Sequence, residues 1–168
     1  MNFQEVLDKR YSVRNFEDTP LESEKLASIL EAARIAPTAG NKQPQRILVV
    51  RKPEELEKID LCTPCRYGAP TVLIVCYDKT VCWVRPFDGE NSGQVDDSIV
   101  GTYIMLKAES LGVGSVWVMK FDPAKTVEQF KLPENIVPVA MLVLGYATKD
   151  AEPAERHSQR FPIEQMLL

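Results

Sequence analysis

The sequence predicts an α+β fold, a β-sheet with helices packed on it, in one domain spanning residues 1–168. Three observations lead there. Short β-branched and apolar runs at 47–51, 71–77, 115–119 and 137–144 read as strands. Segments with helical periodicity separate most of them. The connections vary in length and show no regular βαβ repeat, which argues against a uniformly parallel sheet.

Taken in order, a first helix fits 2–9, with Asn2 as its N-cap. A second fits 22–36, where Leu26, Ile29, Leu30 and Ala33 fall on one face, and Pro37 stops it. The segment TAGNKQPQ reads as loop, 47–51 as a strand and 53–61 as a helix. The run TVLIVCY at 71–77 is apolar without alternation, the pattern of a strand buried on both faces. Residues 78–95 read as a loop around Trp83, Pro86 and Gly89. A helix over 96–111 is apolar at Ile99, Val100, Tyr103, Ile104, Met105, Leu106, Ala108 and Leu111. That stripe is too wide for one buried face, so the helix belongs in a core or a subunit interface. Asp96 and Asp97 open it, where carboxylates favour the positive end of the dipole. Gly112 and Gly114 end it before the strand at 115–119; a short helix at 123–131 and a strand at 137–144 follow. The tail 146–168 is too polar to form a core of its own, yet it ends in Phe161, Ile163, Met166, Leu167 and Leu168. Those side chains suit docking on another surface.

Composition narrows the function. A net charge of −4 and a pI near 5.2 give no basic field for nucleic acid. The apolar runs are too short to span a bilayer, and the opening MNFQEVLDKR is charged rather than leader-like, so a cytoplasmic protein is expected. Cys62, Cys65, Cys76 and Cys82 are then expected as free thiols. The pair in Cys62-Thr63-Pro64-Cys65 follows a helix and precedes a strand, the reverse of a thioredoxin-type context. With His157 the only histidine, no metal site is expected either.

Two constellations could carry chemistry. In an extended segment Arg10, Ser12 and Arg14 point the same way and offer two guanidiniums and a hydroxyl, a set that suits a phosphate or a solvated basic turn. In 36–44, small residues and a glycine allow close approach to a flat ligand, with Asn41 and Gln43 as amide partners; a plain helix end and loop fits as well. The glycines at 112 and 114 precede a strand instead of following one, so they are a helix-to-strand turn and not a dinucleotide fingerprint. No Ser/His/Asp set or carboxylate pair emerges, and a cofactor has to carry any difficult chemistry.

In this order, RYSVRNF (10–16), APTAGNKQP (36–44), DDSIVGTYIMLKAESLGVGSVWVMKFD (96–122), LPENIVPVAMLVLGYA (132–147) and RFPIEQML (160–167) resemble the FMN-dependent nitroreductase family over nearly the whole chain. The resemblance implies a mixed sheet flanked by helices, in an intertwined homodimer with FMN at the interface. It implies that Arg10, Ser12 and Arg14 hold the phosphate and ribityl chain, assisted by Arg160. It further implies that Pro37, Thr38, Ala39 and Asn41 approach the flavin from the other subunit, with Gln43 nearby. The main chain of Trp117, Val118, Met119 and Lys120 then runs past the ring, where a backbone N–H meets the hydride-accepting nitrogen. The tail 146–168 docks on the partner subunit. Two positions depart from many relatives: Met119-Lys120 replaces a Glu-Gly pair, and Ser158 stands where some carry a second basic residue. The implied activity is hydride transfer from NAD(P)H through FMN to a nitroaromatic, quinone or similar conjugated acceptor. A flavin-binding, flavin-storage or flavin-modifying protein without physiological nitroreductase activity is the alternative.

Overall fold

The computed structural model describes every residue from Met1 to Leu168. Helix α1 (Phe3–Lys9) starts at a reciprocal cap: Asn2 Oδ1 accepts from the Glu5 N–H, and Glu5 Oε2 accepts from the Asn2 N–H, each at 3.0 Å. Then follow α2 (Ser23–Ile35), β1 (Gln45–Val50), α3 (Pro53–Cys62), β2 (Thr71–Asp78), α4 (Gly93–Ser110), β3 (Gly114–Val118), α5 (Pro123–Phe130) and β4 (Ile136–Gly145). Helices α3 and α5 take proline in the first turn, where its missing N–H costs nothing.

The sheet order is β1-β2-β4-β3, and all three ladders are antiparallel. Strands β2 and β3 run the same way, joined through α4, but β4 lies between them. The parallel component of the expected mixed sheet reduces to one bridge, Ser12 to Ser115, on the outer side of β3.

Every residue of β2 is buried. Its alternate side chains serve two cores, as a two-residue period requires. Val72, Ile74 and Cys76, with Met141 and Val143 of β4, pack towards Ile59 and Cys62 of α3. Leu73 and Val75, with Leu142 and Leu144, pack towards Ile29 of α2 and Val100, Ile104 and Ala108 of α4.

Helix α4 begins at Gly93, three residues before the position the sequence suggests. Glycine is a poor helix former, which hides this first turn. It is present because a Cβ at position 93 would lie 2.3 Å from Tyr77 Cδ2. Farther along, Gly101 lets α4 settle on β3: a Cβ there would lie 2.0 Å from Cζ3 of Trp117. The apolar girth of α4 is only partly covered, with Val95 64% and Tyr103 38% exposed.

The first half of the tail is attached to the body of its own chain. Glu17 N–H donates to Tyr146 O at 2.8 Å, Thr148 N–H to Asn15 O at 3.1 Å, and Tyr11 Oη to Ala151 O at 3.2 Å. The backbone at 15–17 needs partners, and the tail supplies them. Beyond Arg160 no such bonds occur, and Phe161, Ile163, Met166, Leu167 and Leu168 are all exposed.

Gly101→Ala gains roughly 1 kcal/mol in helix propensity but overpacks the α4–β3 contact, which typically costs about 1–3 kcal/mol. The expected result is a lower melting temperature with a shifted Trp117 fluorescence maximum. An unchanged emission spectrum would show that the ring does not sit against α4.

Candidate functional site

Segment 10–14 leaves α1 extended. Val13 turns into the core at 2% exposure, and its N–H donates to Ser115 O at 3.0 Å. Alternation then directs Ser12 and Arg14 the other way. There Arg10, Ser12 and Arg14 line a pocket of about 550 Å³ together with Ala154, Arg156, His157 and Arg160. The chain's own tail closes this pocket. Its nine arginines divide sharply. Arg34, Arg46, Arg66 and Arg85 have carboxylate partners, and Arg51 donates to Leu21 O at 2.5 Å. Arg10, Arg14, Arg156 and Arg160 likewise form no ion pair, and all four line this pocket; Arg14 and Arg160 donate only to the neighbouring main-chain oxygens of Ser12 and Gln159. Gathering guanidiniums without counter-charge is unfavourable unless an anion fills the space.

A second cluster lies between α2 and β1. Gly40, Asn41 and Gln43 all have positive φ, at 56°, 54° and 51°. Glycine and asparagine accept this region readily, whereas glutamine pays for it. Side chains hold the loop in shape. Thr38 Oγ1 accepts from Gln43 N–H at 3.0 Å, Gln43 Nε2 donates to Asn41 O at 3.2 Å, and Ala39 N–H donates to Asp96 Oδ1 at 2.8 Å. Pro37, Asn41 and Gln43 are exposed, while Thr38 and Ala39 are half-buried. Strain of this kind collects at ligand-binding segments.

The third cluster follows β3. Trp117 packs its ring against Gly101 and is half-buried at the margin of the core. Val118 is buried, while Met119 and Lys120 are exposed. The N–H groups of Met119 and Lys120 donate to no protein acceptor. In the single chain the three clusters line separate cavities: Gln43 lies in one with Arg34 and Arg46, and Trp117 and Met119 in another with Ser98 and Thr102.

A family model described as the nitroreductase family matches residues 7–63 and 64–146. The chain belongs to the nitroreductase family. It is 33% identical over 159 residues to a protein of Methanothermobacter thermautotrophicus named as an NADH dehydrogenase/NAD(P)H nitroreductase, covering 89% of this chain and 80% of that one. It is 29% identical to the Bacillus subtilis protein named FMN reductase [NAD(P)H], covering 89% and 65%. The crystal structure of a nitroreductase family protein from Clostridium difficile superposes with a TM-score of 0.94 at 44% identity, over 100% of this chain and 98% of that one.

Three residues in this nitroreductase framework escape the sequence reading. Arg156 puts a cation into the pocket although position 158 is serine. His157 is half-buried and edge-on to Tyr11 at 6.3 Å, so it lines the pocket instead of standing in solvent. The spacing of Arg156 from Arg160 was the available signal. Asp96 is the third. It does not merely favour a helix dipole: it is buried, and its two oxygens fix Ala39 N–H and the Ser92 hydroxyl.

Asp97 beside it is fully buried, and both carboxylate oxygens lack a hydrogen-bond partner. Burial, reinforced by the Asp96 charge and only partly offset by Arg46, pushes its pKa up to about 8. An acid whose folded pKa is raised stabilises the fold fully below the ordinary carboxylate range and loses that advantage as pH climbs to the raised value. Asp97→Asn should therefore gain stability over the parent between about pH 4 and pH 8, by at most about 1.4 kcal/mol per pH unit. Urea denaturation at the two ends of that window measures it; a pH-independent difference would place the ionised form in the native protein.

Proposed function

We propose that the protein is an NAD(P)H-dependent FMN oxidoreductase of the nitroreductase type, with nitroaromatics, quinones or similar conjugated compounds as acceptors. The observation that carries this reading is the gathering in one pocket of four of the five arginines that form no ion pair. Arg10, Ser12, Arg14, Arg156 and Arg160 would hold the FMN phosphate by charge-assisted hydrogen bonds. The free N–H groups of Met119 and Lys120 supply donors for the ring without needing any particular side chain there. Bound FMN would supply the hydride chemistry, accepting from the nicotinamide and passing electrons to the acceptor. The names of the Methanothermobacter and Bacillus relatives support donor and cofactor.

The proposed assembly is a cytoplasmic homodimer. Pro37, Thr38, Ala39 and Asn41, with Gln43 nearby, would reach the flavin held by the other subunit. Two uncovered apolar features favour this. One is a cavity of about 460 Å³ lined by Met1, Phe3, Val6, Ala32, Tyr103 and Leu106. The other is the exposed end of the tail, residues 161–168, which in this reading docks on the partner.

Arg14→Ala and Arg156→Ala should each weaken FMN binding about ten- to a hundred-fold, since a hydrogen bond to a charged group contributes about 1.5–3 kcal/mol. Fluorescence titration measures this, and unchanged affinity in both would remove the phosphate from this pocket. Anaerobic NADH or NADPH should bleach the yellow protein; a flavin that stays oxidised with both would favour storage over reduction.

Truncation after Arg160 spares the pocket and removes the apolar end. Sedimentation should show the full chain as a dimer and the truncated one shifted towards monomer. A full-length monomer at micromolar concentration that retains FMN tightly would exclude the shared site.

A further inference from the structure

The Cys62-Thr63-Pro64-Cys65 segment is neither a redox turn nor a metal site in the reading above, yet Thr63 is only 2% exposed. Its hydroxyl donates to Lys120 O at 2.6 Å and accepts from Cys65 N–H at 3.1 Å. The adjacent Cys62 carbonyl accepts from Asp122 N–H at 2.9 Å. The segment thus grips the turn between β3 and α5 at two successive peptide groups, 57 residues away in sequence from Thr63 to Lys120.

The peptide geometry of that turn explains the consequence. Peptide groups are planar and trans, so the oxygen of one residue and the N–H of the next point in opposite directions. The peptide joining residues 120 and 121 is held at both ends: Thr63 takes its oxygen, and its N–H, that of Phe121, donates to Met119 O at 3.0 Å. That second bond also fixes the oxygen of the preceding peptide, whose own N–H belongs to Lys120. The Lys120 N–H is therefore directed by a chain of contacts leading back to Thr63, and it is one of the two that donate to nothing in the protein. Pro64 brings no N–H of its own to compete for the hydroxyl.

We infer that Thr63 is a positioning residue for the flavin: its buried hydroxyl fixes the Lys120 carbonyl and thereby aims the free N–H groups of the Met119–Lys120 turn at the cofactor. The assignment rests on the FMN reading above. Thr63 itself touches no reacting atom. Its effect reaches the flavin through the main chain, which is why the side chains at 119 and 120 can differ from those of relatives without loss of the contact.

The test compares FMN-loaded wild type with Thr63→Val, which keeps the shape and removes the hydroxyl, and with Thr63→Ser, which keeps the hydroxyl. Three quantities are read: the FMN dissociation constant, the flavin midpoint potential against reference dyes, and the rate of anaerobic bleaching by NADH or NADPH. Thr63→Val should shift the potential and slow bleaching about ten-fold, the scale of one lost hydrogen bond. Thr63→Ser should restore both. A Thr63→Val protein with wild-type potential and bleaching rate, even at a lower melting temperature, would reduce Thr63 to a brace of the fold. Failure of Thr63→Ser to restore them would assign the effect to methyl packing and overturn the inference. Should Thr63→Val not fold, Thr63→Ala leaves room for water at the Lys120 carbonyl and should shift the potential in the same direction; no shift would again overturn it. A wild type that binds no FMN fails differently, because it removes the flavin reading itself.

Discussion

The structure depends on the burial of β2 and β4 on both faces. Each of the eight residues of β2 is buried, and β4 is buried from Pro138 to Gly145. A strand pair of this kind admits few polar side chains, because burying an unpartnered polar group is costly; Thr71, whose buried hydroxyl has no partner, is an exception at the start of β2. The polar machinery is consequently displaced to the periphery. Residues 10–14 attach beside β3 at one edge of the sheet, the Met119–Lys120 turn leaves the end of the same strand, and the 38–43 loop leads into β1 at the opposite edge. Val13 makes the first attachment possible. Its side chain enters the core, and that commitment is what turns Ser12 and Arg14 outward.

Charge is distributed by the same logic. Four of the five arginines elsewhere are neutralised locally, as in the bidentate contacts of Arg34 with Glu31 and Arg66 with Asp60. The pocket arginines are left unneutralised. The two adjacent aspartates show the converse. Asp96 is buried and fully used, joining α4 to the 38–43 loop, whereas Asp97 is buried and unpaired and is accommodated as the neutral acid. The residues that shape the site are thus of two kinds, those presented to a ligand and those, such as Asp96 and Thr63, that are consumed in holding the presenting backbone.

This division explains what was legible in the sequence. The strands at 71–77 and 137–144 could be read because uninterrupted apolar runs admit few alternatives. The phosphate cluster was half visible: Arg10, Ser12 and Arg14 share a local period, so one strand geometry brings them together. Arg156 and His157 join them only because the backbone at 15–17 recruits the tail, a pairing with no local pattern. Asp96 looked complete as a helix-end carboxylate, and Thr63 carried no signal beyond standing between two cysteines that fit neither a redox nor a metal motif. Their roles depend on partners 57 residues distant in each case, which no window of sequence contains. The start of α4 was missed because Gly93 answers to the Tyr77 ring rather than to helix propensity.

The single chain leaves much apolar surface uncovered. The apolar girth of α4 that no core residue covers, the cavity between α1 and α4, and the five apolar side chains beyond residue 160 are all in water. Burying a large apolar side chain stabilises by roughly 1.5–3 kcal/mol, an upper bound for a flexible tail. Five of them represent a sum comparable with the whole stability of an ordinary domain. A groove on α1 and α4 and an apolar tail are complementary features that every copy of the chain carries, so a two-fold pairing can satisfy both at once in both subunits. The separation of the three clusters into different cavities fits the same picture. In the proposed dimer the 38–43 loop is braced from within its own subunit by Asp96 so that it can serve the site of the other.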